Sequence, residues 1–195
     1  MCVGLNYKDN AQKLGLQYPS EPIIFLKPPT SVIGPNEEII YPNKVEKLFF
    51  EGELAVILKD KVKNIEPNEV DNHILGYTCF NDITAVDLIE KDKGQLTRGK
   101  YFDTFSAIGP AIVTDLPVEN LQIISKRNGE IKQNSNTNQM IFSVRQIVSF
   151  ISKIMTLTPF DVIATGTPAG ACEIKKGDDL EIIIEKIGVL NNKVR

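Results

Sequence analysis

The sequence predicts an α+β fold with a β-rich core. Three observations carry this prediction. β-prone apolar stretches outnumber helical ones, they do not alternate with helices as in a parallel β–α–β sheet, and only one segment sustains a strong helical period. In chain order, residues 5–15 place Tyr7, Ala11 and Leu14 at helical spacing and predict a short polar helix. A proline-rich stretch follows (Pro19, Pro22, Pro28, Pro29, Pro35), with one apolar strand at 23–26 inside it. Residues 49–58 and 74–81 read as strands rich in β-formers. Residues 83–90 read as a helix for which Asp82 would be the N-cap. Asn128-Gly129 between two β-prone flanks marks a hairpin, because that pair tolerates the left-handed conformations of a two-residue turn. The clearest helix spans 144–156: Val144, Ile147, Val148, Ile151, Ile154 and Met155 share one face. Ser143 and Gln146 supply a capping box before it, and Pro159 follows its end. Strands at 162–164, at 180–184 and near Val189 complete the reading.

No repeat or linker divides the 195 residues, so residues 1–195 read as a single domain. A chain of this length buries roughly 70% of the surface its unfolded form exposes, enough for a real core. Lys plus Arg number 22 and Asp plus Glu 25, a net charge of −3, which speaks against a nucleic-acid partner. The single histidine, His73, excludes any metal centre needing two or three imidazoles from one chain. Three cysteines (Cys2, Cys79, Cys172) without CxxC spacing argue against a disulfide framework or zinc ribbon and for a reducing compartment. No apolar run approaches the roughly 20 residues of a membrane span, and Met1-Cys2-Val3-Gly4 has no signal-peptide character. A cytoplasmic protein with no membrane partner is expected.

Chemistry concentrates in four places. Glu51 and Glu53 stand two apart in a predicted strand, so their carboxylates share a face. A solvent-facing polar stripe is the plain reading of such a pair; apolar residues crowding both ends argue for a cation between them. Asp82, at the end of the next strand, adds a third carboxylate. Three carboxylates without an imidazole form a hard oxygen set suited to Mg²⁺, Mn²⁺ or Ca²⁺ rather than Zn²⁺. Lys100, between Gly99 and the aromatic pair Tyr101-Phe102, is either an ordinary surface lysine or a compact cation for a substrate carboxylate or carbonyl. Thr165-Gly166-Thr167-Pro168 after an apolar strand is either a plain turn or one that offers N–H groups and hydroxyls to an anion. His73 reads as a loop residue rather than a catalyst.

Taken in order, several short stretches resemble the fumarylacetoacetate hydrolase family. They include Gly4-Leu5-Asn6-Tyr7, Phe25-Leu26-Lys27-Pro28, Glu51-Gly52-Glu53-Leu54 and Asn81-Asp82. Gly99-Lys100, Phe102-Asp103-Thr104-Phe105, Asn128-Gly129-Glu130, Met140-Ile141-Phe142 and Thr165-Gly166-Thr167-Pro168 complete the series. The resemblance implies a β-rich mixed-sheet roll, a homodimer, and Mg²⁺ or Mn²⁺ held by Glu51, Glu53 and Asp82. It implies Lys100 and Thr167 as substrate contacts, Lys100 in a catalytic role, and a small-molecule 2-oxo or β-diketo acid as substrate. The reactions it implies are C–C bond hydrolysis, decarboxylation or tautomerisation. Where hydrolytic members carry a water-activating His and Glu, this sequence has Asn10 and Lys13, and a usual Arg and Gln read Val86 and Ile89. Two functions follow as expectations: a metal-dependent enzyme for which decarboxylation or tautomerisation is easier than hydrolysis, or a weakened paralogue that binds metal and ligand.

Overall fold

The computed structural model of the protein describes residues 1–195. The first half of the chain runs β1 (Cys2–Gly4), α1 (Lys8–Leu14), β2 (Ile23–Phe25), β3 (Val32–Ile33), β4 (Glu38–Ile39), β5 (Leu48–Leu58) and β6 (Ile74–Ala85). It continues with α2 (Val86–Lys91), α3 (Thr97–Lys100), β7 (Ser106–Val113), β8 (Gln122–Arg127), β9 (Glu130–Asn136) and α4 (Val144–Ile154). The last strands are β10 (Val162–Ala164), β11 (Cys172–Ile174), β12 (Asp179–Ile184) and β13 (Gly188–Val194). One sheet has eight strands, ordered β2-β1-β10-β5-β6-β7-β3 with β11 also on β5; the other has five, ordered β4-β13-β12-β8-β9. The pairs β1/β10, β3/β7 and β4/β13 are parallel and the others antiparallel. The fold is α+β with a curled mixed sheet, as the sequence predicts.

β5 and β6 are the spine. They pair along their whole lengths, from Leu48 opposite Ala85 to Leu58 opposite Ile74. Leu54, Ala55, Val56, Ile57 and Leu58 are all buried, so this part of β5 is covered on both faces, and its sequence is a continuous apolar run rather than an alternation. A single cluster of 36 buried apolar residues joins the two sheets and α4, with Leu54, Ile182, Leu190, Ile147 and Ile151 among its members. The clearest predicted helix forms as read: Val144, Ile147, Val148 and Ile151 are buried, and both capping-box hydrogen bonds are present. At Asn128-Gly129 both residues take positive φ (53° and 79°), the geometry a tight hairpin needs. The Asn128 side chain also bonds Asp178 (2.7 Å) and the Asp179 N–H (2.9 Å), fastening the turn to β12.

One sequence expectation fails here. Asp82 caps no helix: β6 runs on to Ala85, α2 starts only at Val86, and its N-cap position makes no side-chain cap bond. The reason lies in the ladder, since Asp82, Ile83, Thr84 and Ala85 all have partners on β5 and are held extended. α1 is shorter than residues 5–15 and begins after the buried Tyr7; Gly15 closes it in the left-handed conformation.

α2 is fixed to the start of β5 through Asp87, whose side chain accepts from the Lys47 N–H (3.3 Å) and from the Lys91 ammonium (3.0 Å). Burial alone would push this carboxyl up; the bonds from Lys91, Lys47 and Glu46 outweigh it and hold it below its ordinary 3.8. A carboxyl with a lowered folded value stabilises the fold above its unfolded value and loses that contribution as pH falls through the folded one. Replacing Asp87 with Asn is expected to cost about 1–2 kcal/mol at neutral pH. The difference from wild type should shrink once the pH falls below 3.8, followed by urea unfolding across the acid range. Ser143→Ala, which removes the α4 cap, should cost about 1 kcal/mol by the same measurement, and no loss would show the cap to be dispensable.

Candidate functional site

The register of the spine builds the site. Glu51 lies directly opposite Asp82, and Glu53 lies two residues along the same face of β5. Ligating oxygens of Glu51, Glu53 and Asp82 all lie within 4.8 Å of one another, the one group of three metal-ligating side chains in the protein. Like charges directly across a ladder repel, and Asp82 and Glu53 are almost entirely buried, so the cluster needs cations.

Two lysines supply part of this. The Lys100 Nζ donates to Asp82 Oδ2 at 2.6 Å and lies 3.3 Å from Glu51 Oε2, with the Phe25 ring 5.1 Å away on another side. Lys27, arriving from the end of β2, donates to Asp82 Oδ1 and to the carbonyls of Phe105 (2.6 Å) and Ile83 (3.2 Å). Burial opposes the charge on Lys100, but Asp82 and Glu51 outweigh it and hold the ammonium above the usual lysine range. Burial likewise opposes ionisation of Asp82, and the two ammonium groups overcome it, so its carboxyl is held low. Glu53 behaves differently. Burial and the charges of Asp82 and Glu51 push it well up, and only the Lys100 charge and the Gly166 N–H oppose them. That N–H donates to Glu53 Oε2 at 2.7 Å. Glu53 therefore has no ion-pair partner of its own.

Backbone fit places these groups. α3 presses so closely on α2 that a Cβ on Gly99 would meet Ile89 Cγ1 at 2.4 Å and the Ala85 carbonyl at 2.8 Å; only glycine seats Lys100 over the carboxylates. Gly166 takes φ +97°, and a Cβ there would stand 2.8 Å from Asn6 Cβ. The anion that its turn meets is thus the protein's own Glu53. Thr167 sits beside it, its hydroxyl donating to the Gly52 carbonyl (2.9 Å) and accepting from Gln133 (2.8 Å). Gln133 also accepts from the Gly52 N–H (2.9 Å) and donates to the Pro168 carbonyl (2.8 Å), pinning the turn to β5.

The carboxylates form the floor of a cleft of about 470 Å³. Four positions that the resemblance marks as departures from the hydrolytic members face this cleft: Asn10 and Lys13 from α1, Val86 and Ile89 from α2. Lys100 and Thr167 line it too. His73 does not; it pairs with Asp60 (2.6 Å) just before β6, whose first residue, Ile74, is eight residues from Asp82 and thus about 26 Å along the strand. Sequence reading gave no role to Lys27, Gln133 or Asn6. Lys27 follows an apolar strand and precedes two prolines, a weak hint at best, and Gln133 is silent until β9 packs behind β5.

A curled mixed sheet that gathers buried carboxylates and lysines at the floor of a cleft defines an α+β enzyme. The chain belongs to the fumarylacetoacetate hydrolase family, whose C-terminal model matches residues 1–195. It is 40% identical over 205 residues to a human mitochondrial oxaloacetate tautomerase, FAHD2B, covering 100% of this chain and 65% of that one. A 2-hydroxyhepta-2,4-diene-1,7-dioate isomerase from Mycobacterium marinum superimposes with a TM-score of 0.92 at 44% identity, over 99% of this chain and 72% of that one. A fumarylpyruvate hydrolase from Pseudomonas aeruginosa, in complex with Mn²⁺ and pyruvate, also gives 0.92, at 29% identity over 99% and 87% of the two chains.

Because Gln133 is buried and satisfies three groups across β5 and the 165–168 turn, Gln133→Ala is expected to destabilise the protein by about 2–3 kcal/mol, read from urea midpoints. A variant as stable as wild type would show that the turn is held without it.

Proposed function

We propose that this chain is a divalent-metal-dependent enzyme acting on a 2-oxo or β-diketo acid, with residues 1–195 as one catalytic unit. Glu51, Glu53 and Asp82 would hold Mg²⁺ or Mn²⁺. The observation that carries this is the charge balance at the floor of the cleft: three oxygen donors converge, and the buried Glu53 faces two like charges, answered by the Gly166 N–H and the charge of Lys100 but by no ion pair of its own. A hard cation fits that donor set and that deficit. The Mn²⁺ in the Pseudomonas relative supports the same assignment. When bound, such a cation draws electron density from a chelated 2-oxo acid and favours its enolate.

The chain's own residues do the rest. Lys100 and Thr167 would contact the substrate, with the Lys100 ammonium facing the charge that develops on its oxygens. Val86, Ile89, Leu96 and Phe25 line the remaining wall and limit the water available. Neither Asn10 nor Lys13 is a ready base for activating a water: an amide does not titrate usefully, and a lysine ammonium has no lone pair. Asn10 instead donates to the Thr167 carbonyl (3.3 Å) and braces the turn. Tautomerisation or decarboxylation is thereby favoured over hydrolysis, in keeping with the tautomerase and isomerase named among the relatives. The enzyme is read as a cytoplasmic homodimer; no helix is long and apolar enough to cross a membrane.

Purified protein should turn over oxaloacetate in the presence of Mg²⁺ or Mn²⁺, seen as loss of its enol absorbance, and should lose that activity on chelation. Glu53→Ala should reduce metal-dependent turnover by roughly a hundredfold or more. Rapid acylpyruvate cleavage would favour hydrolysis instead. Metal binding without turnover of either substrate would point to a binding paralogue.

A further inference from the structure

We infer that Lys13 is a specificity-determining residue that pairs with a second carboxylate of the substrate, distal to its 2-oxo group. The inference deepens the proposed function and rests on the 2-oxo acid reading of the cleft. Against the hydrolytic pattern Lys13 marks the loss of a base; in the cleft it is the gain of a cation.

The charged and hydroxyl side chains of the lining are committed, with this one exception. Thr84 donates to Glu51 (2.7 Å) and Thr167 to the Gly52 carbonyl (2.9 Å). Asn10 donates to the Thr167 carbonyl, and Lys100 to Asp82 and Glu51. Lys13 lines the same cleft, makes no hydrogen bond and no ion pair, and sits exposed in the last turn of α1. Around it the wall is apolar: Leu14, Leu16, Val86, Ile89 and Leu96 offer an anion nothing. A carboxylate entering beyond the metal-binding floor therefore has one side chain free to receive it.

Charge counting agrees. Glu51, Glu53 and Asp82 are matched in number by Lys27, Lys100 and Lys13, so the site with a divalent cation would carry a surplus of two positive charges. That surplus suits a dianion better than a monoanion. A lysine on a flexible stem at the rim also adapts to diacids of different length, as a rigid arginine fork would not.

The test is calorimetric binding, independent of turnover, on Mn²⁺-loaded full-length protein. The probes are 2-oxoglutarate and 2-oxopentanoate, which share the 2-oxo acid head and differ in the distal carboxylate. Wild type should bind the diacid about tenfold or more tightly, and that preference should weaken as salt is raised. Lys13→Gln should abolish the preference and leave 2-oxopentanoate affinity unchanged, and Lys13→Arg should restore most of it. Equal affinities in wild type, or a Lys13→Gln loss common to both ligands, would overturn the role of Lys13. Failure of both ligands to bind would overturn the 2-oxo acid reading itself, and with it this inference.

Discussion

The structure depends on one electrostatic constraint: the β5–β6 register sets Glu51 opposite Asp82, with Glu53 beside them on the same face. Burying even one ionised carboxylate costs several kcal/mol after relaxation, and here three converge within 4.8 Å. A register slip of one residue would turn Glu51 and Glu53 to the other face, but would also turn Leu48 and Phe50, buried at the start of β5, out of the core. The same packing that stabilises the spine therefore enforces the repulsion.

The surrounding structure reads as a response to that repulsion. Lys27 and Lys100 come from distant parts of the chain and meet on Asp82, so the loops that bring them are fixed by charge as well as by packing. Gly99 and Gly166 are needed for the same reason. One lets α3 approach closely enough for its lysine to reach, and the other turns an N–H onto Glu53. The answer remains incomplete at Glu53, which lines the cleft. A binding protein for neutral ligands would have no use for such a deficit. A site able to take a cation does.

Much of this was legible in the sequence, unevenly. The spacing of Glu51 and Glu53 was enough to place both carboxylates on one strand face, and apolar flanks marked that strand as buried. The α4 helix and the Asn128-Gly129 hairpin carried complete local signals in capping residues and turn chemistry. Asp82 is legible as a third carboxylate, but the helix cap that its sequence position also suggests does not form, because a local rule about aspartate before a helix cannot see the strand partner that holds it extended. Lys27 and Gln133 were opaque for a related reason. Each acts through a contact 55 and 34 residues away in sequence, set by tertiary packing and by no neighbouring residue.

The departures from the hydrolytic pattern have a common physical meaning. Asn10, Lys13, Val86 and Ile89 lie on two helices, α1 and α2, that face one cleft, so they change a single environment. On the proposed reading, the change removes groups able to activate or hold water while leaving the carboxylate floor and its lysines intact. Hydrolysis needs a second nucleophile delivered to the substrate; tautomerisation and decarboxylation need only that electron density be withdrawn and the resulting negative charge be accommodated. On that proposed reading, a cleft whose floor holds a cation, with a buried ammonium and an apolar wall, meets the second requirement and gives little help with the first. The same sheet can host either chemistry, because the floor is built by strand register and the wall by interchangeable helix residues.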